Sequence, residues 1–126
     1  MSMNVLSRHG IEFEWIDSRE PTNVDKHIRP NTKLIHVETP TNPLLELCDL
    51  EETAKVCKKH HVLMGVDNTF MSPYGQRPLE MGVDIVMHSS TKSLSGHSDI
   101  LGGVLITNND ELAEKLQFMQ KATGAV

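Results

Sequence analysis

Three short stretches concentrate the residues of this sequence that could do chemistry: "ETPTNP" (38–43), "DNTFMSP" (67–73) and "HSSTKSLSGHSD" (88–99). Each follows an apolar run. The first offers Asn42, which can both donate and accept, between Pro40 and Pro43. The second opens on Asp67, a carboxylate leaving an apolar strand, and the third carries Ser89, Thr91 and Lys92 among hydroxyls and glycines. Singly, each has an ordinary reading: a turn-forming asparagine, a capping aspartate, a solvated lysine. Together they offer a primary amine, a carboxylate and several hydroxyl donors, which is the equipment to hold an aldehyde, a protonated ring nitrogen and a phosphate.

What would gather them is the pattern of elements between. Short continuous apolar runs mark strands at "LIHVE" (34–38), "VLMGVD" (62–67), "DIVMHS" (84–89) and "GVLIT" (103–107), and alternation marks another at "FEWID" (13–17). Continuous runs suit a sheet covered on both faces. Between "LIHVE" and "VLMGVD" lies "DLEETAKVCKKHH", with Asp49 as cap, Glu52 three residues on, and Leu50, Ala54 and Cys57 on one face. "NNDELAEKLQFMQKA" repeats that pattern from Asn108 or Asn109, with Leu112, Leu116 and Met119 on the stripe expected to be buried. A shorter helix is expected in "TNVDKHI". Alternating strands and helices predict an α/β fold with a mostly parallel sheet and helices on both faces. The connection into "GVLIT" has no helical pattern, so that strand is expected to run antiparallel. In open α/β sheets ligands gather beyond the carboxyl ends of the strands, which is where all three chemical stretches fall.

Composition narrows the classes. At 126 residues one domain is expected, and a formal net charge of −5 without a basic stripe argues against nucleic acid or an anionic membrane as partner. No long apolar segment and no charged-then-apolar leader is visible, so the chain reads as cytoplasmic, without a membrane span. Cys48 and Cys57 read as reduced thiols. His60 and His61 are adjacent, and His88 and His97 share no ligand spacing with either cysteine, so no metal is expected. A cofactor that fits the gathered groups is pyridoxal 5'-phosphate, held by a lysine, a carboxylate on its ring nitrogen and donors around its phosphate.

"ETPTNP" and "VDNTFMSPYGQRPLEMGVDIVMHSSTKSLSGHSDILGG", with their spacing, resemble the Cys/Met-metabolism (transsulfuration) family of pyridoxal-phosphate enzymes over nearly the whole chain. The resemblance implies the aspartate-aminotransferase-like, fold type I architecture, with residues 1–126 forming part of the cofactor-binding large domain. It implies that Lys92 is the catalytic, Schiff-base lysine, that Asp67 pairs with the ring nitrogen, and that Ser89 and Thr91 bind the phosphate. Asn42 falls near the cofactor's phenolic oxygen and the substrate carboxylate, while His97 and Asp99 shape the loop. A sulfur-containing amino acid is the implied substrate, a homotetramer the implied full-length assembly, and elimination at the γ-carbon of cystathionine the implied reaction. The alternatives are γ-replacement, γ-elimination of methionine, β-elimination of cystathionine, or, in a different class, a chain without catalysis. Ser93 departs from the aromatic residue common after the lysine. The family's glycine-containing phosphate loop, ring-stacking tyrosine, partner-subunit ligands and carboxylate-binding arginine have no counterpart here, so the chain is expected to be an internal piece that is inactive by itself.

Overall fold

The structure is a computed structural model that describes residues 5–125. Its centre is a four-stranded sheet in the order β1 (Leu34–Glu38), β2 (Leu63–Asp67), β3 (Ile85–Ser89), β4 (Gly103–Ile106). The first three strands are parallel and β4 is antiparallel to β3, as the missing crossover predicts. Register places Glu38 opposite Asp67, Asp67 opposite Met87, and Ser89 opposite Gly103. The carboxyl ends of the three parallel strands therefore share one edge.

The helices are α1 (Pro21–His27), α2 (Leu50–Lys59), the single turn α3 (Ser72–Gly75) and α4 (Asp110–Thr123). In α2, Asp49 caps the helix by accepting the Glu52 N–H at 3.0 Å, acids occupy the first turn and lysines the last, in the sense the helix dipole favours. Leu50, Thr53, Ala54 and Cys57 recur at helical spacing and are buried. They pack with Val37, Met64, Val66, Val83 and Val86 into one core on a single face of the sheet. A half-exposed contact ties α1 to α2: Asp25 accepts from Lys59 Nζ at 3.1 Å and meets His60 Nε2 at 2.6 Å. Pairs so exposed contribute about 0–1 kcal/mol.

Cys48 and Cys57 are free, buried thiols, as expected. Burial pushes Cys57 up to about 11 from the ordinary 9.0, with Asp84 adding a smaller push. The folded state thus holds this proton at pH values where the unfolded chain has released it, so stability should fall as pH rises from about 9 toward about 11. Unfolding midpoints across that range should decline more shallowly in Cys57→Ala; equal slopes would show that this thiol does not contribute.

Two expectations need correction. "FEWID" forms no strand: Trp15 is 79% exposed, Asn23 Nδ2 donates to the Asp17 carbonyl, Arg19 donates to the Asp17 carboxylate, and Glu14 pairs with Arg29. Alternation describes a strand's two faces but supplies no neighbour to pair with. The helix from Asp110 is present and capped by Asn109, which accepts the Leu112 N–H at 2.9 Å. Yet it buries none of its residues, and Met119 on the expected stripe is 54% exposed. Capping and an Lys115–Glu111 pair are local, whereas burial needs an opposing surface. The opening "MSMN" lies outside the described residues; Leu6–His9 make one short turn closed by Gly10 in the left-handed region, φ 77°. Among the described residues no helix is long and apolar enough to cross a membrane.

Candidate active site

Strand alternation puts Asp67 and Met87 on the face of the sheet opposite the α2 core, and Gly65, two residues before Asp67, lets the His36 side chain lie close on that face, since a Cβ there would meet His36 Nδ1 at 3.0 Å. Asp67 is half-buried, and its Oδ1 accepts the Thr69 backbone N–H at 3.0 Å. The Thr69 hydroxyl in turn accepts the Ser89 N–H at 2.7 Å. One residue just beyond β2 thereby ties the carboxylate, through its backbone N–H, to the end of β3, through its side chain. The Ser89 hydroxyl itself makes no hydrogen bond among the described residues.

Beyond Ser89 the chain enters a wide turn, Ser90–Leu94, in which Ser95 N–H reaches back five residues to the Ser90 carbonyl at 3.0 Å. Wide turns of this kind often mark functional sites. The helical path breaks at Lys92, φ −91° and ψ −123°. The Lys92 ammonium has no ion pair or hydrogen bond among the described residues, unlike those of Lys55, Lys59 and Lys115, which are tied to carboxylates. It lines an open cavity of about 730 Å³ with Thr91, Ser98, Asp99 and Leu101 among its walls.

Thr91, expected from the resemblance to bind the phosphate, has its hydroxyl engaged within the chain. Its hydroxyl oxygen accepts the Gly102 N–H at 2.9 Å and its proton points to the Gly102 carbonyl at 3.3 Å. That approach depends on a glycine, because a Cβ at 102 would lie 2.6 Å from Ser90 Oγ. Binding an anion through this hydroxyl means surrendering the longer of its two bonds. His97 fits a loop-shaping role, since its Nδ1–H donates to the Ser95 carbonyl at 2.6 Å, whereas Asp99 makes no such bond and faces the Lys92 cavity.

Asn42 sits at the tip of the loop between β1 and α2, exposed and with no side-chain hydrogen bond among the described residues. The Thr39–Pro40 and Asn42–Pro43 peptides are both cis. The structure brings the expected residues together in two groups: Asp67 with Ser89 through Thr69, and Thr91 with Lys92 around the cavity. Asn42, Asp67 and Ser89 do not line that cavity.

Sequence reading passed over Thr69, Asn68 and Gln76. The signal was present in "DNTFMSPYGQ", an unusually polar stretch just past a buried strand, but which side chain reaches which loop follows from register alone. Thr69→Val should leave the Ser89 N–H without an acceptor and cost about 1–3 kcal/mol of stability, with Thr69→Ser recovering most of it. Denaturant unfolding decides this, and an unchanged midpoint in the valine variant would show that the tie carries no energy.

The donor set fits pyridoxal phosphate: an amine without a partner, a half-buried carboxylate and an uncommitted hydroxyl share the carboxyl edge of one sheet. Comparison with known proteins agrees. A model of the family described as Cys/Met metabolism PLP-dependent enzyme matches residues 1–126. A cystathionine gamma-lyase of Bacillus subtilis is 54% identical over 122 residues, which is 97% of this chain and 32% of that protein. A probable cystathionine gamma-synthase of Herpetosiphon aurantiacus is 52% identical over 122 residues, 97% of this chain and 38% of that one. The crystal structure of cystathionine gamma-lyase from Lactobacillus plantarum complexed with L-serine superposes with a TM-score of 0.96 at 44% identity, over 99% of this chain and 33% of that one. The chain therefore spans about a third of the length of these relatives. With the matched residues, the parallel sheet and the amine, carboxylate and hydroxyl at its edge in agreement, this chain belongs to the Cys/Met metabolism family of PLP-dependent enzymes.

Proposed function

We propose that residues 1–126 form part of the cofactor-binding large domain of a transsulfuration enzyme, and that this enzyme eliminates at the γ-carbon of cystathionine to give cysteine, 2-oxobutanoate and ammonia. The observation that carries the site assignment is the unpaired Lys92 amine beyond β3, next in the sheet to the strand that ends on Asp67. The choice of reaction rests on the 54% identity to a cystathionine gamma-lyase.

When bound, pyridoxal phosphate supplies an electron sink for the pair released at the substrate α-carbon. In this reading Lys92 Nζ would hold the cofactor and would be the group that accepts the substrate α-proton. Asp67 keeps the ring nitrogen protonated, with the Thr69 N–H fixing one of its oxygens. Ser89 donates to the phosphate, and Thr91 joins it by giving up the Gly102 carbonyl. Asn42 orients the substrate carboxylate. Assembly into a homotetramer agrees with the exposure of Leu101, 91%, beside the Lys92 cavity and of Tyr74, 101%, beyond β2.

The test is product analysis with cystathionine in a full-length family chain carrying these residues. The proposal expects 2-oxobutanoate and cysteine. Pyruvate and homocysteine would mean β-elimination, cysteine consumption with an activated homoserine would mean γ-replacement, and no keto acid above a cofactor-only control would mean a chain without catalysis.

A further inference from the structure

The loop that carries Asn42 is closed upon itself. Thr39 Oγ1 accepts the Cys48 N–H at 3.0 Å, Thr41 Oγ1 accepts the Glu46 N–H at 3.0 Å, and the Thr41 N–H donates to the Glu46 carbonyl at 3.0 Å. Internal closure gives the loop a shape but not a position relative to Asp67. Among the described residues, one side-chain hydrogen bond crosses from residues 39–47 to the residues beyond β2: Gln76 Nε2 donates to the Thr39 carbonyl at 3.2 Å.

Gln76 is itself held. Asn68, fully buried next to Asp67, donates from Nδ2 to the carbonyls of Ser72 at 3.2 Å and Gln76 at 2.8 Å, and its Oδ1 accepts from Gln76 Nε2 at 2.8 Å. The orientation of both amides follows from chemistry, because backbone carbonyls only accept. Asn68 must present its nitrogen to Ser72 and Gln76, so its oxygen faces Gln76, and Gln76 must present its nitrogen both to that oxygen and to Thr39. Both Nε2 protons are thus assigned, in a network whose Asn68 and Thr39 ends are 0% and 2% exposed. Buried amide networks of this kind specify one arrangement, since a half-satisfied one costs more than none.

We infer that Gln76, braced by Asn68, is a positioning residue that sets where the Asn42 loop stands over Asp67, so that it acts on substrate engagement and leaves cofactor retention alone. The inference rests on the reading of Asn42 as a group that meets the substrate carboxylate. The contacts expected to hold the cofactor run separately, through Lys92, through Ser89 and through the Thr69 tie, none of which involves Gln76.

The test compares Gln76→Met with wild type in a full-length holoenzyme carrying these residues. Leaving the Thr39 carbonyl and Asn68 Oδ1 unpaired should raise hydrogen exchange in residues 39–48, and KM for cystathionine, each by about tenfold, while the cofactor dissociation constant stays within about twofold. Gln76→Glu, of the same size but without a donor, should reproduce both changes and serves if the methionine variant does not fold. Unchanged loop exchange, unchanged KM, or a cofactor dissociation constant rising in step with KM would each overturn the inference. Asn42→Ala run in parallel separates the layers: a raised KM supports the reading beneath the inference, and an unchanged KM sinks that reading and the inference with it, whatever the loop exchange shows.

Discussion

Replacing Lys92 by alanine in a full-length holoenzyme is expected to lower turnover by about 10²–10⁴-fold, the usual worth of a positioned proton acceptor, and to abolish covalent attachment of the cofactor. The expectation follows from the environment of the amine. Lys55, Lys59 and Lys115 each have a carboxylate within hydrogen-bond reach, which occupies the amine. Lys92 has none, as is also true of Lys26, Lys33, Lys58 and Lys121 among the described residues, and what sets it apart is its place on a cavity wall at a break in a wide turn. Reduction of the wild-type holoenzyme with borohydride, then peptide mapping, should place the cofactor on the peptide containing Lys92. Label on a different lysine, or unchanged labelling in Lys92→Ala, would remove Lys92 from the mechanism.

Asp67→Asn should separate chemistry from binding. The change keeps Oδ1, so the Thr69 N–H retains its acceptor and the loop geometry survives. What disappears is the negative charge proposed to keep the ring nitrogen protonated, a charge-assisted contact of about 1.5–3 kcal/mol, or roughly ten- to two-hundredfold in rate. Cofactor content should change far less, because the linkage proposed at Lys92 and the contact proposed at Ser89 are untouched. Wild-type turnover in this variant would show that Asp67 does not hold the ring nitrogen, and an equal loss of cofactor and turnover would show that it serves retention instead.

How much of the site was legible varied with how local its causes are. Lys92, Asp67 and Ser89 stood out because residue type and position after an apolar run are both visible in one dimension, and the register then set Asp67 and Ser89 on adjacent strands. Thr91 was legible as a hydroxyl near the lysine, but its engagement with Gly102 depends on a hairpin-like return from β3 to β4 that no local pattern reports. Thr69 and Gln76 were illegible for a similar reason. Each is an ordinary polar residue until the sheet brings Ser89, twenty residues on, or Thr39, thirty-seven residues back, within hydrogen-bond distance.

By itself the sequence determined the elements whose stabilising terms lie within a few residues: the Asp49 and Asn109 caps, the buried face of α2, and the apolar runs of the four strands from Leu34 onward. A lysine, a carboxylate and hydroxyls at strand ends suggested the kind of chemistry, and the resemblance carried by "ETPTNP" and "VDNTFMSPYGQ" supplied most of the rest. Only the tertiary structure decided which patterned segments found partners. "FEWID" alternates like a strand yet pairs with none, and the helix from Asp110 leaves Met119 of its apolar stripe exposed and Leu112 and Leu116 only half-buried, because hydrogen-bond pairing and burial need a second surface that periodicity cannot supply. The same non-local physics decided the cross-ties among the loops. A hydrogen bond between residues twenty or more apart exists only once the chain between them has paid its closure entropy, and that is settled by the fold as a whole.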